Sequence, residues 1–160
     1  MSVCLEPALV GVRPMNPRKL LDIRFSGHEE NVRECLAKLR VWTTSLHFCA
    51  GFRGEIELVL AEVLNNIVEH AQPGCLNDKI HVRGELLDDR LAFQIVDYGA
   101  PLPYLKIPEG AQPRLDVEPQ DLPEGGFGWM LVRNLTSDLH YERHPGANYL
   151  SLSFAPGRCL

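Results

Sequence analysis

The chain has 160 residues, 45% hydrophobic and 23% charged, with a formal net charge of −5, an ordinary composition for one globular domain that can bury a core without cross-links or a structural metal. Its basic residues are scattered, with no Lys/Arg run and no basic helix face interleaved with aromatics, which excludes nucleic acid as the expected direct ligand. The five cysteines (Cys4, Cys35, Cys49, Cys75, Cys159) are odd in number and lack a CxxC pair, and no apolar run approaches the roughly 20 residues of a membrane span; a soluble protein of the reducing cytoplasm is expected, with no disulfide framework, no zinc ribbon and no membrane partner.

Residues 1–17 carry three prolines and no periodicity. They read as an N-terminal extension, with Met15 an alternative start, and residues 18–156 read as a single domain. Leu20 to Phe25 alternates as a strand, and Ser26 offers an N-cap to a helix in which Val32, Cys35, Leu36, Leu39, Trp42 and Thr43 recur at helical spacing. A second helix is predicted from about Arg53 to His70, stopped by Pro73-Gly74. "KIHVRGELL" and "RLAFQIVD" follow as alternating strands joined at Asp88-Asp89. Six prolines between Pro101 and Pro123 mark a long irregular stretch, the pattern of a functional lid. "FGWMLVRNLT" resumes helical periodicity, and "DLHYERH" with "ANYLSLSF" closes the chain as a hairpin around Pro145-Gly146. Hairpin-joined strands with few helices predict an α+β fold, a two-layer sandwich whose mainly antiparallel sheet is covered on one face by helices.

Three segments carry chemistry. In the second helix, Ile56, Val59, Leu60, Val63 and Ile67 form an apolar stripe, while Glu55, Glu62, Asn66, Glu69 and His70 line another face. Glu62 and Asn66, four apart, are surface neighbours. A carboxylate beside an amide oxygen suits a hard cation or a proton transfer; the plainer alternative is a solvated helix face. Asp97 ends an apolar strand with Gly99 just beyond, where a carboxylate can accept from a ligand amine and glycine lets backbone approach; the alternative is an ordinary turn. Gly125, Gly126 and Gly128 precede the last helix, exposing N–H groups to an anion, with a hinge as the alternative; the spacing is not a Walker loop. Metal sets built from His70, Cys75 and His81, or from His140 and His144, have unsuitable spacing. Trp42 and Trp129 read as core anchors, Trp129 also lying beside the glycines.

Together these segments supply a cation site, an adenine acceptor and a phosphate cradle. The sequence resembles the GHKL (Bergerat-fold) ATPase superfamily, and looks closest to its small anti-sigma serine kinases of bacterial partner-switching systems: "EVLNNIVEHA" resembles the N-box E-x-x-x-N-x-x-x-H-A, "DYGAP" the D-x-G-x-P box, and "GGFGWMLVRNL" the glycine box, over about Lys19 to Phe154. The resemblance implies ATP and Mg²⁺ as cofactors, Glu62 as general base, Asn66 as Mg²⁺ ligand, Asp97 beside Gly99 as acceptor of the adenine amino group, Gly126 and Gly128 as phosphate contacts, and His70 as the family's histidine. It implies transfer of the γ-phosphate to a serine of a small STAS-type anti-sigma-factor antagonist, with a sigma factor as a second partner and a homodimer left open. A histidine-kinase catalytic domain would share the boxes but be joined to a phospho-accepting helical hairpin, for which this chain leaves no room. Two departures stand out. Gly146-Ala147-Asn148 replaces the family's Gly-Thr, and Pro123-Glu124-Gly125 replaces a basic residue before the glycine box. They favour the alternative, a catalytically weak binding module that sequesters a sigma factor or antagonist.

Overall fold

The computed structural model describes residues 20–71, 79–87, 90–110 and 127–155. Strands β1 (Leu20–Ser26), β2 (Lys79–Leu86), β3 (Leu91–Asp97), β4 (Asp138–His144) and β5 (Ala147–Phe154) form one antiparallel sheet in the order β1-β2-β3-β5-β4. Helices α1 (Glu29–Ser45), α2 (Ala50–Asn66) and α3 (Phe127–Leu135) cover one face. Period-2 alternation decides which residues they meet: Ile80 and Val82, Leu91, Phe93 and Ile95, and Leu150, Leu152 and Phe154 all join the helices in a common core. This is the expected α+β sandwich.

Phe93, on the central strand, packs edge-on against Trp42 of α1 and Phe154 of β5, with centroids 5.9 and 6.0 Å away. The Trp42 indole lies over Gly84, where a Cβ would come within 3.0 Å of Trp42 Cη2 and 2.8 Å of Phe93 Cε1. In α1 the predicted stripe is buried at Val32, Cys35, Leu39 and Thr43. Its entry differs from expectation. The N-cap is His28 in extended conformation with no side-chain cap bond, and Ser26 serves through its carbonyl, which accepts from His28 N at 2.7 Å and Asn31 Nδ2 at 2.9 Å. Arg40 of α1 grips Glu57 of α2, with Nε 3.1 Å from Oε2, and holds the Glu57 carboxyl below its ordinary range.

α2 begins before the predicted Arg53, because Gly51 and Gly54 face open space and cost only backbone entropy there. Its α-helical part ends at Asn66, and a π-helical turn, Ile67–Ala71, carries the chain on through His70. Cys49, at the N-cap of α2, is disulfide-bonded, a cross-link not expected from the odd, CxxC-free cysteine pattern. The β2–β3 hairpin is closed by Leu87 N donating to Arg90 O at 2.9 Å, while Asp88 and Asp89 themselves lie outside the described residues. So do Cys75, Glu124, Gly125, Gly126 and the N-terminal extension. No helix among the described residues is long and apolar enough to cross a membrane.

Candidate functional site

The end of β3, the α2 face and π-turn, the start of α3, and β4 with β5 enclose a cavity of about 370 Å³, with Asn66, His70, Asp97, Trp129, Tyr141 and Asn148 among its walls. Val63 and Leu150 give it apolar flanks. A few polar groups converging in an apolar cleft of this size are the usual form of a small-molecule site.

Asp97 is 5% exposed because β3 is buried along its whole length. Its Oδ1 accepts from Gly99 N at 2.9 Å and from Asn148 Nδ2 at 2.8 Å. Oδ2 has no hydrogen-bond partner among the described residues and belongs to the cavity wall. Burial pushes the Asp97 carboxyl above its ordinary value, opposed by the Asn148 and Gly99 N–H donors and by the charge of Arg143.

Asn148 stands directly across the sheet from Asp97. Its Nδ2 also donates to Ala100 O at 2.9 Å, and its Oδ1 accepts from Tyr141 OH at 2.6 Å and Arg143 Nη1 at 2.9 Å. Tyr141 OH in turn accepts from Leu102 N at 3.1 Å, and Arg143 Nη1 reaches Gly99 O at 2.9 Å. At the position where the sequence departs from Gly-Thr, Asn148 meets Asp97, whereas Ala147 points to the other face by strand alternation. Tyr141, Arg143 and the role of Asn148 were not singled out from sequence. The register of β3 against β5 is the signal that exposes them, and it is a long-range one.

On α2, Asn66 Nδ2 donates to the backbone carbonyl of Glu62 one turn earlier at 2.7 Å. This leaves Asn66 Oδ1 without a partner among the described residues. The Glu62 carboxylate lies against Gly128, the second residue of α3: a Cβ there would overlap Glu62 Oε2, with Glu62 Cδ 3.4 Å and Asn66 Nδ2 3.8 Å away. The structure thus brings Glu62, Asn66 and Gly128 together, and Asp97 with Gly99; of these, Asn66 and Asp97 line the cavity, whereas Glu62, Gly128 and Gly99 are not among its walls. His70 reaches the cavity wall from the π-turn, although its side chain is largely exposed. Trp129 both packs on the core and lines the cavity. Gly126 falls outside the described residues.

The described start of the proline-rich stretch expected to form a lid is pinned to α3. Arg133 donates from Nε to Pro108 O at 2.9 Å and from Nη2 to Ile107 O at 2.8 Å. Gly110, at φ +83°, abuts Met130, whose N would lie 2.6 Å from an added Cβ. Tyr104 and Leu105 sit in left-handed backbone at φ 56° and 55°, both exposed.

The histidines considered for metal binding are engaged otherwise. His140 and His144 both contact Glu142, at 2.9 and 3.1 Å, and His81 contacts Asp22 at 2.9 Å. Among the described residues no group of three potential ligands could hold a metal ion by itself. The donor set instead fits a nucleotide that brings its own ligands: an unpaired carboxylate oxygen suits an exocyclic amine, and an amide near a helix start, its oxygen without a partner among the described residues, suits a cation shared with phosphates.

Residues 25–154 match the sequence profile of the family described as the histidine kinase-like ATPase domain. No curated protein matches the chain at a significant level. Among solved structures, the RsbU and RsbW domains of Rv1364c from Mycobacterium tuberculosis align with a TM-score of 0.62 at 18% identity, covering 87% of this chain and 33% of that one. The Erythrobacter litoralis EL346 blue-light activated histidine kinase aligns with a TM-score of 0.52 at 19% identity, covering 70% of this chain and 33% of that one. The chain spans about a third of the length of each, and at such identity the likeness is one of fold. The match over 25–154, with the antiparallel sheet and its three helices, shows that the chain belongs to the histidine kinase-like ATPase domain family.

Proposed function

We propose that the chain is an ATP-dependent serine protein kinase of the anti-sigma type, acting on a small STAS-type antagonist protein and exchanging it for a sigma factor. The observation that carries this reading is the approach of the Glu62 carboxylate to Gly128, with the Asn66 amide alongside, an arrangement that suits a proton acceptor and a cation ligand near the start of α3. The fold likeness to a chain containing an RsbW domain supports the regulatory setting. Bound Mg²⁺-ATP would supply the γ-phosphoryl group and the charge neutralisation its transfer needs. Asp97 Oδ2 accepts the adenine amino group, with Gly99 allowing close approach of the backbone. Asn66 Oδ1 would hold the cation, while Gly128 and the α3 N-terminus, with Gly126 ahead of them in the chain, would supply the phosphate contacts. His70 closes the N-box end of the cavity. Glu62 takes the hydroxyl proton of the incoming serine as its oxygen bonds to phosphorus and the bond to the ADP oxygen breaks.

The test is transfer of label from γ-labelled ATP to the cognate antagonist. Wild type should label one serine, and Glu62→Gln should abolish labelling while leaving nucleotide binding intact. Equal labelling by both proteins would sink the general-base role. Wild type that binds Mg²⁺-ATP but labels no antagonist would instead establish the sequestering module.

A further inference from the structure

The Asp97 end of the cavity carries more hydrogen bonding than one acceptor requires. Asn148 is 4% exposed and engages both ends of its amide. An amide can be turned over without changing its shape, so its partners alone decide which end is oxygen. One end meets the Tyr141 hydroxyl at 2.6 Å and the Arg143 guanidinium at 2.9 Å; the other meets Asp97 Oδ1 at 2.8 Å and the Ala100 carbonyl at 2.9 Å. A guanidinium only donates, and a carbonyl only accepts. The first end is therefore oxygen and the second is NH₂. β4 fixes the orientation of the amide, and the amide fixes the carboxylate. With Gly99 N also on it at 2.9 Å, Asp97 Oδ1 holds two N–H donors, which locks the carboxyl plane and leaves Oδ2 unpaired at the cavity wall. Against the burial that raises the carboxyl's value, two N–H donors and a nearby guanidinium favour the ionised form, and an ionised oxygen can only accept.

We infer that Arg143 and Tyr141 are positioning residues for base selection: acting through Asn148, they hold Asp97 Oδ2 as an obligate acceptor, so the site takes a purine with a 6-amino group and rejects one with a 6-oxo group. This rests on the nucleotide-site reading above and names what enforces the choice of base. A 6-oxo group would set acceptor against acceptor in a buried site and leave both unpaired, the situation in which polar sites discriminate most strongly. Without Arg143, one of the two donors that fix the amide is gone. The positive charge that favours the ionised carboxylate is gone as well, and with Oδ1 still holding two N–H donors a proton taken up by the buried carboxyl sits on Oδ2, where it can donate to the 6-oxo group. Loss of Arg143 thus narrows the discrimination between bases and does more than weaken binding.

The test titrates mant-ATP and mant-GTP with Mg²⁺ into the full chain, following anisotropy for wild type, Arg143→Met, Arg143→Lys and Tyr141→Phe. Wild type should prefer mant-ATP by at least about tenfold, the scale of one hydrogen bond to a charged group. Arg143→Met should cut that ratio by about tenfold, Tyr141→Phe by about threefold, and Arg143→Lys should restore most of it. A merely structural role would weaken both nucleotides alike, so an unchanged ratio in Arg143→Met and Tyr141→Phe overturns the inference. If Arg143→Met does not fold, Tyr141→Phe, which removes a single oxygen, carries the test. Wild type that binds both nucleotides equally refutes base selection and leaves the nucleotide site standing; wild type that binds neither refutes both.

Discussion

Gly128→Ala tests whether the Glu62 carboxylate and the start of α3 work as one unit. Gly128 is helical, so alanine fits the backbone and gains up to about 1 kcal/mol of helix propensity. The added methyl would overlap only Glu62 Oε2, the far end of a flexible side chain; Glu62 Cδ at 3.4 Å and Asn66 Nδ2 at 3.8 Å are near ordinary contact. Turning that carboxylate aside costs about 0.5–1.5 kcal/mol of rotamer energy. The two effects nearly cancel. Stability should stay within about 1 kcal/mol of wild type, which is a Tm shift of no more than about 4 °C for a chain of this size. Restoring normal contact moves the carboxylate oxygen by about 1 Å, and a displacement of that size in a reacting group costs on the order of 100-fold in rate. Calorimetry and single-turnover transfer to the antagonist serine should therefore separate, with Tm held and the rate lost. A wild-type rate in the variant would show that the contact has no part in transfer, and a collapse of Tm would show that Gly128 is structural.

In Asp97→Asn the amide keeps an oxygen for Gly99 N and Asn148 Nδ2 but turns an N–H toward the cavity, so mant-ATP affinity should fall at least about tenfold. Because burial raises the folded-state value of Asp97, the stability this group contributes is full in acid and is lost as pH rises through that value. The urea midpoint of the variant should thus gain on wild type as pH rises above about 4; a gap moving the other way contradicts the assignment. Gly110→Ala forces φ +83° on a residue with a Cβ that lands 2.6 Å from Met130 N, which should loosen the lid at a cost of about 2 kcal/mol and speed tryptic cleavage after the exposed Lys106. An unchanged cleavage rate would mean that the lid is not held there. Cys35 is 3% exposed and its thiol is pushed up to about 11 by burial, so it should resist iodoacetamide at about pH 8 in the native protein and react once unfolded; modification of the native protein at a free-thiol rate would argue against the packing of α1.

Local patterns foretold the elements well because each helix and strand buries one face. Val32, Cys35 and Leu39 fall on the core side of α1 as their spacing requires, and the alternation through Leu91, Phe93 and Ile95 ends with Asp97 on the same side. Boundaries were read less well. The second helix starts at Ala50, ahead of the predicted Arg53, with Gly51 facing open space, and the expected cap at Ser26 acts through its carbonyl two residues early. In the site, Glu62 and Asn66 could be paired because they are one turn apart. The approach of Glu62 to Gly128 could not, since it spans 66 positions and depends on α2 packing against α3. Asn148 was visible only as a departure from an expected motif; its 51-residue reach to Asp97 is a property of strand register, which no local period encodes.

The ties on either side of the lid's first turn divide it between two bodies. Leu102 is held by the Tyr141 hydroxyl to β4, whereas Ile107, Pro108 and Gly110 are held to α3 by Arg133 and Met130. Any displacement of α3 relative to the sheet must then be absorbed between residues 103 and 106, where Tyr104 and Leu105 already occupy left-handed backbone. The Tyr104 ring, 94% exposed, projects from that pivot like a handle. A force applied at that ring would act on the joint between the sheet and α3, with no relay of side chains in between.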